Sequence, residues 1–183
     1  MKVSSVIAGA SAALVAFQAA LYASHGEADL LRPPGAHGEK DFASRCVKCG
    51  KCMEACPYIA IKPARDDAGA AVGTPMIDAR AQACRLCEDF PCVEACPTNA
   101  LRDIETRSDV KMGVAVIDED LCIAFQGMRC EVCYRTCPLI DEAIVIDYRL
   151  REGDAIHSVF APVIDEDKCV GCGLCVERCV VSE

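Results

Sequence analysis

The sequence predicts a loop-rich α+β fold built from two fused modules and held together by its cysteines. Three observations carry that expectation. Sixteen cysteines fall into four groups of four. Aromatic residues make up only 5% of the chain and Trp is absent, a poor supply of the side chains that bury most area each, so another device must hold the fold together. Short apolar runs, several of them β-branched, recur between the groups and end in Asp-containing turns, the pattern of small strands.

Taken in order, the chain begins with Met1-Lys2 and an uncharged, apolar, small-residue stretch over residues 3–23. A positive start, an apolar middle and small residues from Ala23 to Gly26 read as a signal segment. The stretch also has about the length that spans a bilayer, so an uncleaved anchor fits as well. Residues 1–29 are therefore expected to be a signal-like or anchor segment, with a periplasmic, membrane-associated protein as the consequence. Residues 30–45 contain Leu31-Arg32-Pro33-Pro34-Gly35-Ala36-His37-Gly38 and read as a Pro/Gly linker. Residues 46–183 form the cysteine domain.

The first group is Cys46-x2-Cys49-x2-Cys52-x3-Cys56-Pro57. This is the bacterial ferredoxin run for a 4Fe–4S cluster, proline included. The second is Cys84-x2-Cys87-x4-Cys92-x3-Cys96-Pro97, and the third Cys122-x7-Cys130-x2-Cys133-x3-Cys137-Pro138. The fourth, Cys169-x2-Cys172-x2-Cys175-x3-Cys179, is followed by Val180 in place of Pro. Three closely spaced thiolates can wrap one face of a cubane, while the fourth reaches the other cluster of a pair. The expectation is thus four 4Fe–4S clusters with all sixteen cysteines as iron ligands, arranged as two fused two-cluster ferredoxin-like modules. Gly50, Gly171 and Gly173 lie between ligands, where a tightly wrapped backbone favours a missing Cβ.

Between groups the units repeat. Ile59-Ala60-Ile61 leads to Met76-Ile77-Asp78, Ala100-Leu101 to Val114-Ala115-Val116-Ile117-Asp118-Glu119-Asp120, and Ala143-Ile144-Val145-Ile146-Asp147 to Val163-Ile164-Asp165-Glu166-Asp167. The residues between third and fourth cysteines read as the start of a short helix. Two pairings remain open. The ferredoxin-length linker between the second and third groups suggests that these two pair, with the first and fourth nested around them. That gives ligand sets Cys46/Cys49/Cys52/Cys179, Cys169/Cys172/Cys175/Cys56, Cys84/Cys87/Cys92/Cys137 and Cys122/Cys130/Cys133/Cys96. The alternative pairs first with second and third with fourth.

Competing uses of cysteine fit less well. Disulfide frameworks do not require x2-x2-x3-Pro spacing, and zinc modules use separated Cys-x2-Cys pairs rather than one compact run. An isolated redox Cys-x-x-Cys does not explain four repeats. His25, His37 and His157 have no partnered nucleophile in the sequence, and Gly171-x-Gly173 lies inside a cysteine group rather than a phosphate loop. The acidic stretches at Asp118-Glu119-Asp120 and Asp165-Glu166-Asp167 lack the ligand series of a Ca²⁺ site and read as turns. The net charge of -9 and the lack of a dense basic run argue against nucleic-acid binding and suit docking to a basic partner. Arg129 and Arg135 flank the third group and either offset acidity or raise a cluster potential. Phe125 to Met128 is either a docking loop or a lid.

Several stretches resemble the NapG/MauM ferredoxin-type family: Leu31-Arg32-Pro33-Pro34-Gly35-Ala36, Cys84-x2-Cys87-Glu88-Asp89-x-Pro91-Cys92, and above all Phe125-Gln126-Gly127-x-Arg129-Cys130-x2-Cys133-Tyr134-Arg135-x-Cys137-Pro138-Leu139-Ile140-Asp141-Glu142-Ala143-Ile144. The resemblance covers about residue 30 to the end. It implies an accessory ferredoxin of periplasmic nitrate reduction, working in quinol oxidation with a membrane iron–sulfur quinol-oxidising protein (NapH-like). Downstream it implies a periplasmic redox protein or nitrate reductase. Family members are exported folded behind a twin-arginine signal. Met1-Lys2 and the apolar run look like the tail of such a motif, so an upstream start is expected, and relatives continue past Glu183 with a short apolar strand. Two other carriers are weighed: the methylamine-utilisation relative, and the iron–sulfur subunit of a molybdenum oxidoreductase of the dimethyl-sulfoxide-reductase type, against which the Phe-Gln-Gly loop argues.

Overall fold

A computed structural model describes residues 30–150, 153, 156 and 158–181. The leader with His25 and Met1-Lys2, and also His157, lie outside the described residues.

Four short helices hold the third cysteine of each group. They are α2 (Lys51–Ala55), α3 (Pro91–Glu94), α4 (Val132–Thr136) and α5 (Leu174–Arg178). Each is a single turn or little more, too short to persist alone. Each ends as the fourth cysteine's N–H bonds to the carbonyl three residues back: Cys56 to Met53, Cys96 to Val93, Cys137 to Tyr134 and Cys179 to Val176. The following proline, where present, then prevents continuation.

Two antiparallel hairpins lie between the groups. Strand β1 (Ile61–Pro63) pairs with β2 (Pro75–Ile77), placing Ile61 opposite Ile77. Strand β3 (Ile144–Leu150) pairs with β4 (Ser158–Ile164), with Ile144 opposite Ile164 and Leu150 opposite Ser158. Tyr148 and Phe160 face each other across β3 and β4 edge-on, with centroids 5.2 Å apart, a favourable aromatic geometry.

The three expected Asp turns form. Asp78 Oδ1 accepts from the amides of Arg80 and Ala81, Asp118 Oδ1 from Asp120 and Leu121, and Asp165 Oδ1 from Asp167. These carboxylates cap their own turns, which accounts for the acidic stretches. The strand expectation holds only in part. Residues 114–117 form no strand, and Val116 is 89% exposed, although the matching Val163-Ile164 closes β4.

Residues 30–45, expected as a linker, are packed into the first module. Ala36 bridges Leu101 in antiparallel fashion, and helix α1 (Glu39–Arg45) buries Phe42 completely. Arg32 is buried; its Nη1 donates to Thr74 Oγ1 (2.7 Å) and the Pro75 carbonyl (2.9 Å). Its Nε donates to Glu39 (2.8 Å), and its guanidinium lies 4.7 Å from the centre of the Phe42 ring. A buried guanidinium persists only when paired and hydrogen-bonded in this way. The Pro/Gly composition thus disguised a structural segment whose partners lie some forty residues away.

One apolar core joins Phe42, Ile61, Ile77, Leu86, Phe90 and Val110, all before the third group, to Val170 and Leu174 of the fourth group. The two modules therefore share a core rather than hanging on a flexible joint. Among the described residues no helix is long and apolar enough to cross a membrane.

Candidate metal centres

All sixteen cysteines are free thiols. Their grouping corrects the nested arrangement. Helix α2 packs on α3 and α4 on α5, so the first group pairs with the second and the third with the fourth. Cys46, Cys49, Cys52 and Cys96 line one cavity, and Cys56, Cys84, Cys87 and Cys92 another. The nested sets would have required Cys179 beside Cys46 and Cys137 beside Cys84; instead Cys96 and Cys56 take those places. The physical reason is that β1 and β2 return the chain directly from the first group to the second, and β3 and β4 do the same from the third to the fourth.

In the second module Cys122, Cys133, Cys175 and Cys179 line a larger cavity of about 530 Å³. Cys133 lies in the field of Cys122 and Cys130, and Cys172 in that of Cys137 and Cys169. That cavity pools Cys175 with the thiols of the third group, but Cys172 and Cys169 act on Cys175 more strongly than Cys133 does, which sorts the thiols into Cys122/Cys130/Cys133/Cys179 and Cys169/Cys172/Cys175/Cys137. In both modules the fourth cysteine of each group crosses to its partner group, the arrangement that two-cluster ferredoxin spacing implies. Among the described residues no three Cys, His, Asp or Glu side chains converge where a single ion would sit; the thiols instead surround cavities.

The chemistry of these donors fits iron–sulfur clusters. Burial, reinforced by neighbouring thiols, pushes Cys52 up to about 11 and Cys92 and Cys175 up to about 12. Sulfur crowded in this way needs a cation to hold it as thiolate. Backbone amides are already turned toward sulfur: Ala60 N–H lies 3.4 Å from Cys56 Sγ, and the amides of Leu86 and Ala115 lie 3.5 Å from the Sγ atoms of Cys84 and Cys169. At Cys96 burial acts upward, but hydrogen bonds from the backbone of Leu101, Thr98 and Ala100 prevail and lower the thiol. Such donors tune bound clusters.

Arg129 and Arg135 share one partner. Glu131 accepts from Arg129 Nη2 at 2.8 Å and from Arg135 Nε at 2.9 Å, and their hydrogen bonds hold its carboxyl below the usual range. Two guanidinium charges near the third group are thus offset by one carboxylate. The Phe125 loop is tied to itself: Gln126 N–H and Met128 N–H donate to the carbonyls of Cys122 and Ile123. Arg149 lies over Phe125 and Arg129 over Phe160, which fastens the loop to the second hairpin while Met128 stays exposed. His37 is a surface residue contacting the Asn99 carbonyl.

Sequence reasoning missed Arg80, Arg85 and Glu177. Arg80 Nη1 donates to the Val176 carbonyl at 2.8 Å, at the C-terminal end of α5. Glu177 accepts from Arg85 and from the Ala83 amide, both at 2.7 Å. Nothing in their local sequence marks these residues, because their partners lie more than ninety positions away.

The family description "4Fe-4S dicluster domain" matches residues 45–100 and 126–182, one match on each module. Ferredoxin-type protein NapG of Escherichia coli (strain K12) is 44% identical over 155 residues, covering 84% of this chain and 67% of that protein. The chain belongs to the NapG/MauM ferredoxin-type family. The methylamine utilization ferredoxin-type protein MauM of Methylorubrum extorquens is 41% identical over 163 residues, covering 88% of this chain and 73% of that protein. Ferredoxin-type protein NapF of Escherichia coli (strain K12) is 27% identical over 153 residues, covering 83% and 81%. The chain is a ferredoxin-type iron–sulfur electron-transfer protein of the 4Fe–4S class.

Proposed function

We propose that the chain carries four 4Fe–4S clusters and passes electrons from a membrane iron–sulfur quinol-oxidising partner toward periplasmic nitrate reductase. The observation that supports the number is that the first module's eight free thiols line two cavities, four to each, and the other eight sort by their neighbours into two further groups of four. When bound, each cluster accepts and releases one electron. The chain's own part is to place the thiols, aim amides at their sulfurs and keep water from the buried ones. Cys52, Cys92 and Cys172 are buried, whereas Cys49 and Cys179 reach the surface.

The reading includes export to the periplasm as a folded protein, peripheral to or anchored at the membrane. The apolar stretch over residues 3–23 supports it. Its acidic balance suits docking to basic redox partners. The test is nitrate reduction by intact cells lacking the gene, with quinol as sole electron source. The expected result is a fall in rate that the gene restores, while artificial dyes still drive the reductase. An unchanged rate refutes the nitrate route. A second reading has the same carrier serving methylamine oxidation, favoured by MauM relatives at 40–45% identity. Growth on methylamine that depends on the gene would select it.

A further inference from the structure

The thiol sets do not follow one another in sequence order. Within the modules, α2 with Cys52 packs on α3 with Cys92, and α4 with Cys133 on α5 with Cys175; Cys92 feels the charge of Cys52, and Cys175 that of Cys133. Between the modules it is the second and fourth groups that touch. The Cys84 N–H donates to the Cys172 carbonyl at 3.0 Å, a single hydrogen bond joining a ligand of one set to a ligand of the next. The third group, with Cys122, Cys130 and Cys133, meets the fourth where α4 packs on α5. Followed through these contacts, the order is first, second, fourth, third group.

The surroundings of that hydrogen bond are built for close approach. Gly173 has φ +83°, and a Cβ there would stand 2.5 Å from Ala79 Cβ and 3.6 Å from Ala83 Cβ. At Gly171 a Cβ would meet the Gly113 backbone at 2.4 Å. Only glycine permits both the backbone conformation and the contact. Glu177 then reaches across to the Ala83 amide and to Arg85, either side of Cys84, at 2.7 Å each. Arg80, Ala83 and Arg85, which flank Cys84, tie α5 to the start of the second group at three points.

We propose that the Cys84–Cys172 contact is the electron-transfer junction between the modules, and that Gly173, Glu177 and Arg85 are positioning residues that fix the spacing of the two inner clusters. The inference rests on the four-cluster reading above. It makes the first and third groups the two ends of a linear carrier, where electrons enter and leave. The surface thiols agree: Cys49 and Cys179, the two exposed cysteines, belong to the two outer sets.

The test uses the full-length holoprotein, prepared without oxygen and reduced, with magnetic coupling between clusters read by electron paramagnetic resonance. Emptying the second set by Cys84→Ala with Cys87→Ala is expected to abolish the coupling between modules, whereas emptying the first by Cys46→Ala with Cys49→Ala leaves it. Gly173→Leu, and the milder Glu177→Gln should the first not fold, are expected to weaken the coupling while iron content stays at the wild-type level. Coupling that survives loss of the second set overturns the junction. So does coupling unchanged in Glu177→Gln and Gly173→Leu at full iron content. Wild-type protein holding iron and sulfide for fewer than four clusters overturns the four-cluster reading itself, a failure seen before any variant is made.

Discussion

Glu131 stands next to Cys130 and between two guanidinium groups, and its charge decides how much positive potential the third group feels. With Glu131 ionised, Arg129 and Arg135 are partly neutralised. Glu131→Gln removes that offset, and nearby positive charge favours the more negative, reduced state of a cluster. The expected outcome is a rise in the midpoint potential of one cluster only, read by a redox titration monitored spectroscopically. The thiols make a second prediction at this scale. Burial raises Cys52, Cys84 and Cys133 to about 11 and Cys92 and Cys175 to about 12. Near neutral pH they are protonated, so cluster assembly must displace protons, and mass action favours assembly as pH rises. Reconstitution at fixed iron and sulfide should therefore go further at about pH 9 than at about pH 7, read from visible absorbance.

Among the elements, the segment before the first group carries more than its composition announces. Arg32 bonds Glu39, Thr74 and Pro75 at once and stacks on Phe42, tying α1 to β2. Truncation leaves a buried carbonyl and hydroxyl without their donor and Glu39 without its partner. Arg32→Ala is expected to cost roughly 3 kcal/mol, seen as faster cluster loss on heating and as hydrogen exchange at the amides of α1 and β2. Arg32→Lys should recover only part, since one ammonium cannot reproduce a planar fork. The short cysteine helices behave differently. They contain too few hydrogen bonds to stand alone and owe their form to the ligands at both ends.

At the scale of the whole molecule, the shared core is small and includes Cys52, Cys92 and Cys172. Removal of iron by chelator and oxidant leaves those thiols desolvated with nothing bound to them, so cluster binding and folding are coupled. Loss of visible absorbance and loss of ordered structure should coincide, with both modules failing together because Val170 and Leu174 pack into the first module's core. The check is circular dichroism and hydrodynamic radius followed during chelation. A first module that kept its structure after the second had lost its iron would contradict the shared core.

The chemistry is legible in local spacing alone. Cysteine spacing within each group is local, and so are the Asp turns, the one-turn helices and the prolines that end three of them, because each depends on neighbours a few residues away. The four ligands of a set are only three-quarters local. The fourth comes from another group, and spacing along the chain does not say which; hairpins β1–β2 and β3–β4 decide it by returning each chain segment to its immediate neighbour. The same limit explains why residues 30–45 read as a linker, why residues 114–117 read as a strand, and why Arg85 and Glu177 went unnoticed. Their partners, or the lack of a strand partner, are set far along the chain. Tertiary packing alone brought the fourth group against the second, since seating Gly173 on Ala79 and Ala83 requires a close approach between backbones that no local pattern encodes.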